Sequence, residues 1–234
     1  MNKYHIIARQ INSYIEEKKL QPGDKLPTLT ELVKTYQASK NTIIKALEVL
    51  EHHGVVYQVR GSGIYVRGRH RKGYLNLMDV QGFQRSFREF NLSSKVIEVK
   101  EMKPPSNVAN SLKLAVDETV YQVKRIRYIE SRPFCIEESY YSKTYVPYMS
   151  EEIASNSIFS YFIDDLKLQI SFNDSFMRIG KLNKEEAEYL ELSPQDPSLN
   201  INSIYYLNNG HPFDYSFIKY HHEEAQFYLQ GNNL

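Results

Sequence analysis

At 234 residues, with one cysteine (Cys135) and a formal net charge of +1, the chain has room for one large domain or two small ones, cannot form an internal disulfide and suits a reducing cytosol. No apolar run approaches the ~18–20 residues needed to span a bilayer, and the N-terminus lacks a signal-peptide pattern, so a cytoplasmic protein with no membrane partner is expected. The charge is uneven: residues 1–72 carry 13 Lys+Arg against 6 Asp+Glu, or +7, and the remainder 16 against 22, or −6, so a basic head suited to phosphate precedes an acidic body.

Tyr4, Ala8, Ile11 and Ile15 recur at helical spacing, with Ile7 widening the stripe, which predicts a first helix ending at Gln21-Pro22-Gly23-Asp24. Thr28 and Glu31 have the spacing of a capping box, and Leu29, Leu32, Val33 and Tyr36 give the short second helix an apolar face. Ser39 is a good N-cap for a longer helix running to about His52, with Ile43, Leu47 and Leu50 buried. Only Gln37 and Ala38 separate the two helices, which suits a helix-turn-helix whose second helix enters the major groove. Val55 to Arg60, Gly61-Ser62-Gly63 and Ile64-Tyr65-Val66 then read as strand, glycine turn and strand, a hairpin in the position of a wing. Double-stranded DNA is the expected partner. Lys40, Asn41, Thr42 and Lys45 lie early on the recognition helix, beside Ser39, where base and phosphate contacts are made. Thr30 and the wing residues Gly61, Ser62 and Gly63 are expected to hold the nucleic-acid backbone.

From Tyr4 to Val66, including Pro22-Gly23-Asp24-Lys25-Leu26-Pro27, the head resembles the winged-helix domain of the GntR family of bacterial transcription regulators. It departs from the family pattern where arginine is common: Thr30 stands in the second helix, and Lys40 and Ile44 in the recognition helix. Arginine forks onto guanine, whereas lysine is a point charge and isoleucine reaches only a thymine methyl. An operator richer in A·T is therefore expected.

Arg67 to Gly73 is basic and unpatterned and reads as a tether. The domains are placed at 1–68 and 79–234, with 69–78 as linker. Beyond it the pattern turns to strands. These are Lys95 to Met102, Thr119 to Glu130 and Phe134 to Ser142, the last two joined by Ser131-Arg132-Pro133. Ile170 to Gly180 follows, then a hairpin of Leu199 to Asn208 and Pro212 to Tyr220 about Asn209-Gly210-His211. Helices are expected at Val108 to Leu114, Ser157 to Leu168 and Lys184 to Leu192. Antiparallel hairpins with a few helices indicate an α+β fold on one sheet.

In the strand from Thr119, Tyr121, Val123, Arg125, Arg127 and Ile129 share a face. Two successive arginines on an otherwise apolar face are costly without partners. They either pair with Glu137 or Glu138 on the next strand or receive an anion, and the register that decides this is not fixed by sequence.

The body, from about Tyr74 to Tyr228, resembles the UTRA effector-binding domain of the HutC-type branch of that family, a fold similar to chorismate lyase. The resemblance is carried by Arg125-x-Arg127, by Pro133-x-x-x-Glu137-x-Ser139-Tyr140, by Ser157-Ile158-Phe159 and by Pro212-Phe213-Asp214-Tyr215. It implies a pocket for a small anionic metabolite such as a sugar phosphate. Arg125 and Arg127 would fork onto the anion, Ser157 would donate at the start of its helix, and Glu137 and Asp214 would accept from hydroxyls or an amine. Gly82 and Phe83 resemble the family's anion-cradling segment. Phe159, often tyrosine in relatives, removes a hydroxyl, and Asp214, often glutamate, shortens an acid. The resemblance also implies a homodimer formed through this domain, and a repressor.

The enzymatic alternative is a lyase-like or ligand-binding protein, but no motif supplies catalysis and no glycine-rich loop matches a nucleotide fingerprint. His52-His53 and His221-His222 lack the ligand spacing of a metal site. No cofactor and no metal are expected, and Cys135 reads as core.

Overall fold

The computed structural model describes residues 2–67, 73–76, 87 and 89–229. The chain divides into two compact units.

The first unit is built from α1 (Lys3–Glu17), α2 (Leu29–Tyr36), α3 (Lys40–His52) and a hairpin of β1 (Val56–Val59) and β2 (Gly63–Val66). Its core joins Ile7, Ile11 and Ile15 of α1 to Leu32 of α2, Ile43, Leu47 and Leu50 of α3, and Val56, Ile64 and Val66 of the hairpin. The helix ends are set locally. Thr28 Oγ1 accepts from Glu31 N–H, and Glu31 returns a bond to Thr28 N–H, the capping box expected from their spacing. Ser39 Oγ accepts from Thr42 N–H to start α3. Gly54, at φ +63°, ends it: Val55 N–H reaches back to Leu50 O and Gly54 N–H to Glu51 O, a Schellman closure that favours glycine at the left-handed position.

The second unit is one antiparallel sheet of six strands: β4 (Leu92–Met102), β5 (Val120–Ile129), β6 (Arg132–Ser142), β7 (Ile170–Lys181), β8 (Pro197–Leu207) and β9 (Pro212–His221). Their spatial order is β4-β5-β6-β9-β8-β7. A separate parallel pair joins β3 (Tyr74–Asn76) to β10 (Gln226–Tyr228). The fold is α+β, as the hairpin pattern suggests. On one face, α4 (Ser106–Leu112) covers Val120 and Tyr140, while α7 (Lys184–Leu190) covers Ile136 and Leu182. On the other face two apolar clusters form. One gathers Val123, Tyr141 and Leu207 beneath α5 (Glu151–Ser155) and α6 (Ile158–Ser160). The other gathers Cys135, Ile201 and Tyr220 with Leu75 and Phe227 of the small parallel pair. Along β6, alternate residues point the same way, so Glu137 and Ser139 lie between Cys135 of one cluster and Tyr141 of the other.

Several expected bounds shift. The β5–β6 turn is only Glu130-Ser131, both at positive φ (49° and 66°), a two-residue hairpin turn of the type that matches strand twist. Arg132 and Pro133 therefore belong to β6. The helix expected from Ser157 to Leu168 is α6 followed by a π-helical turn over Tyr161–Asp165, in which Leu166 N–H bonds to Tyr161 O, and Lys167 at φ +56° closes it. The helix α5 lacks the length to show a periodicity. Its start is fixed by Ser150, whose hydroxyl accepts from Ile153 N–H.

Candidate functional site

On α3 the buried stripe of Ile43, Ala46, Leu47 and Leu50 leaves Lys40, Asn41 and Lys45 exposed, with Thr42 and Ile44 half-buried. Residues four apart share a helix face, so Asn41 and Lys45 present one polar strip away from the core. Ser39 and Thr42 are engaged with each other: besides the cap, their hydroxyl oxygens lie 2.8 Å apart. Their part is to define where α3 begins. Thr30 is exposed in the first turn of α2. In the wing, Gly61 turns at φ +76° and Ser62 Oγ lies 2.5 Å from Tyr65 Oη. Gly63 takes φ +142°, and a Cβ there would meet Lys25 Cε at 2.5 Å, so this glycine admits the Lys25 side chain alongside β2.

In the second unit the register sets Arg125 opposite Glu137. Glu138 faces Lys124 on the other side of the sheet. Arg125 is fully buried. Its Nε donates to Glu137 Oε2 at 3.1 Å, and its Nη2 to Oε1 at 3.0 Å and Oε2 at 2.9 Å. Its Nη1 donates to the carbonyls of Ala154 and Asn156 at 2.7 and 3.0 Å, tying the sheet to the end of α5. Arg127, half-buried, donates from Nε to the same Glu137 Oε2 at 2.7 Å. Burial by itself would raise the Glu137 carboxyl, but the Arg125 and Arg127 charges and their hydrogen bonds outweigh it and hold it at about 2.

In this arrangement Arg125 and Glu137 bind each other. Every guanidinium nitrogen of Arg125 donates to a protein acceptor, and both oxygens of Glu137 are occupied by arginine. The cross-strand ion pair, one of the two readings the sequence left open, describes them.

From Glu137 a row of hydroxyls crosses the sheet. Ser139 Oγ donates to Glu137 Oε1 at 3.4 Å and lies 2.8 Å from Ser216 Oγ, which donates to Asp214 Oδ1 at 2.5 Å. Ser216 faces Ser203 in the β8–β9 register, and Ser203 Oγ lies 2.8 Å from Ser175 Oγ on β7. Asp214 is fully buried, and its Oδ2 has no hydrogen-bond partner among the described residues. Burial pushes its carboxyl well above the usual range, against the Ser216 bond and with the Glu137 charge adding to the rise. Tyr205 pairs with Asp214 in the register, and its ring meets Phe159 edge-on at 5.1 Å. Ser157, half-buried, follows the Asn156 carbonyl that holds Arg125, and its Oγ accepts from Ser160 N–H at 3.2 Å.

The structure thus gathers Arg125, Arg127, Glu137 and Asp214 into one network, with Phe159 joined through Tyr205 and Ser157 beside Asn156. Gly82 and Phe83 lie outside the described residues. Sequence reasoning missed Ser203, Ser216, Tyr205 and the α5 carbonyls. The pairs Ser203/Tyr205 and Asp214/Ser216, each two apart on the expected hairpin strands, were the available signal.

Among the described residues no group of three or more His, Cys, Asp or Glu is placed to hold a metal. His221 Nδ1 accepts from Glu223 N–H and Glu224 N–H, a turn contact. Burial pushes the Cys135 thiol up to about 12, so it is not a thiolate nucleophile. No helix among the described residues is long and apolar enough to cross a membrane.

Residues 3–66 match the model of bacterial regulatory proteins of the gntR family, and residues 88–226 match the UTRA domain. The chain belongs to the GntR family of transcription regulators, in its UTRA-bearing, HutC-type branch. An uncharacterized HTH-type transcriptional regulator of Bacillus subtilis (strain 168), YydK, is 51% identical over 234 residues, spanning 100% of this chain and 99% of that protein. The crystal structure of YydK superimposes with a TM-score of 0.85 at 50% identity, over 99% of this chain and 100% of that one. The mannosyl-D-glycerate transport/metabolism system repressor MngR of Escherichia coli (strain K12) is 27% identical over 229 residues, 97% of this chain and 94% of that protein. The families matched are those of regulators that bind DNA through a helix-turn-helix, and not of enzymes.

Proposed function

We propose that this GntR-family regulator is a cytoplasmic repressor that binds a near-palindromic operator as a homodimer, and that a small anionic metabolite such as a sugar phosphate modulates its operator affinity. Each protomer would set α3 in the major groove, with Lys40, Asn41 and Lys45 on bases and phosphates and the wing on the backbone. The repressor reading is supported by MngR, whose name describes a repressor.

The observation that carries the sensor half is the convergence of two guanidinium groups on one buried carboxylate, Glu137, between the two apolar clusters. Arg125 then acts as a positioning residue, fixing Glu137 and the α5–α6 connection. In this reading Arg127 and Ser157 would meet the anion, with Phe159 and Asp214 completing the site. A ligand that favours one arrangement of this network by about 1–3 kcal/mol would change operator affinity ~5–150-fold.

The test is a thermal-shift screen of sugar phosphates, amino sugars and small carboxylates, followed by operator binding with and without each hit. A ligand that stabilises the protein and shifts operator affinity supports the reading. If no anion of these classes does either, the sensor assignment fails.

A further inference from the structure

The segment between α1 and α2 is fastened to the wing. Gly23 N–H donates to Val66 O at 2.9 Å, Val66 N–H to Asp24 O at 2.8 Å and Leu26 N–H to Ile64 O at 2.8 Å, and Lys25 pairs with Tyr65 in an antiparallel bridge. Pro27 and the Thr28 cap follow at once, so the segment is tied to β2 on one side and to α2 on the other. Successive residues of β2 face opposite ways. Ile64 and Val66 enter the core, which turns Gly63 and Tyr65 outward. Lys25, opposite Tyr65, shares that outer face and is exposed.

This face holds Lys25 in place. Tyr65 stacks on Tyr57 across the β1–β2 ladder, with ring centroids 5.5 Å apart and planes at 23°, and its hydroxyl oxygen lies 2.5 Å from Ser62 Oγ. Lys25 Nζ stands 5.8 Å from the centre of the Tyr65 ring, within cation–π range. The lysine stem runs past Gly63, where a Cβ would come within 2.5 Å of Lys25 Cε and 3.2 Å of Nζ. The ammonium is thereby kept beside the Gly61–Gly63 turn. The neighbouring Asp24 carboxylate is already engaged, its Oδ2 accepting from Gln21 N–H at 2.7 Å. Among the described residues no carboxylate lies within ion-pair distance of Lys25.

A long cation ordinarily loses side-chain freedom when it settles on a partner. Here the ring and the glycine have ordered it beforehand, and its charge is uncompensated. An ordered, unpaired ammonium beside the turn of a wing, on a basic head, matches one partner chemistry: a phosphate of duplex DNA.

We propose that Lys25 is a phosphate contact, seated by Gly63 and Tyr65, that carries the DNA-binding surface beyond α3 on to the backbone beside the wing. The inference rests on the reading of the head as a DNA-binding unit and adds to it a residue outside both the helix-turn-helix and the hairpin. Lysine is a point charge without a fork, so its contribution is to affinity and register on the backbone, not to base choice.

The experiment titrates the full chain into a labelled duplex, obtained by selection from a random library, over a salt series. Lys25→Met keeps an unbranched stem against Gly63 and Tyr65 and removes the charge. It should bind more weakly, flatten the slope of log affinity against log salt by about 0.9 for each protomer on the duplex, and select the same sequences as the wild type. Its urea midpoint should match the wild type, because the side chain is exposed. Lys25→Arg keeps the charge and should keep the slope. Gly63→Ala displaces the lysine stem, so it should weaken binding more in the wild-type background than in Lys25→Met, a difference that strain in the turn alone does not produce. An unchanged slope for Lys25→Met, or a slope lost equally by Lys25→Arg, overturns the contact while DNA binding by the head stands. A wild type that binds no duplex overturns both.

Discussion

Arg125 and Glu137 face each other across β5 and β6 in a two-point ion pair, with Nε–Oε2 at 3.1 Å and Nη2–Oε1 at 3.0 Å. Arg125 has no exposed surface, and its remaining nitrogen holds the carbonyls of Ala154 and Asn156. A buried pair of this kind adds little net stability over well-packed apolar groups, but removing one member strands the charge of the other. Its consequence here is geometric: the inner face of the sheet and the start of α6 are held in one fixed relation beside Ser157 and Phe159.

Arg125→Ala is therefore expected to lower unfolding free energy by about 3–5 kcal/mol, read as a reduced urea midpoint at unchanged slope. Arg127→Ala should cost less, because Arg125 still neutralises Glu137 through three hydrogen bonds. The double variant Arg125→Ala with Glu137→Ala should cost clearly less than the sum of the two single changes. Additive losses would show that the two side chains do not act as a pair.

The two buried acids give opposite pH signatures. Glu137 is held below its ordinary 4.5, at about 2. Its contribution is fully present above pH ~4.5 and is lost as pH falls towards 2, a loss of roughly 3 kcal/mol. Asp214 is raised well above its ordinary 3.8 by burial. Its contribution is fully present below that value and declines as pH rises towards its folded-state value. Asp214→Asn cannot ionise, so the urea midpoint of the variant should gain on the wild type as pH is raised from 4 across the neutral range. A constant difference across that range contradicts a protonated Asp214.

These features differ in how far the sequence discloses them. The Thr28–Glu31 capping box and the Ser39 cap are contacts between residues three apart, so spacing alone specifies them. The core faces of α1 and α3 follow from periodicity for the same reason. Glu137 rather than Glu138 opposite Arg125 depends on a two-residue turn at Glu130-Ser131 and on a ladder shift between Arg127 and Tyr128. Neither is visible in residue types, and a one-residue slip reverses the answer. The acceptors at Ala154 and Asn156 are backbone carbonyls, which carry no side-chain signature. The Ser139–Ser216 contact joins residues 77 apart in sequence, so it exists only once β6 and β9 are neighbours.

On the head, Lys45 is exposed on the polar strip of α3, across the helix from Leu47 and Ile43. A lysine that neutralises one phosphate releases about one counterion, so Lys45→Ala should weaken binding to all DNA sequences alike and reduce the salt slope by about one. Fluorescence anisotropy of a labelled duplex over a salt series measures both. An unchanged slope removes Lys45 from the phosphate contacts.

Base preference should follow from three residues of the head, Thr30, Lys40 and Ile44. Thr30 and Lys40 are exposed and Ile44 is half-buried, so no arginine stands at these positions to fork onto guanine O6 and N7. Ile44 offers only apolar contact, which suits a thymine methyl, and Asn41 suits adenine N6 and N7. Selection from a random duplex library should yield half-sites rich in A·T. Ile44→Arg should bring guanine into the selected site at one position in each half-site, with roughly 1–3 kcal/mol of discrimination there. A guanine-dominated site for the wild type means that other side chains read the groove, and would detach base choice from these three residues.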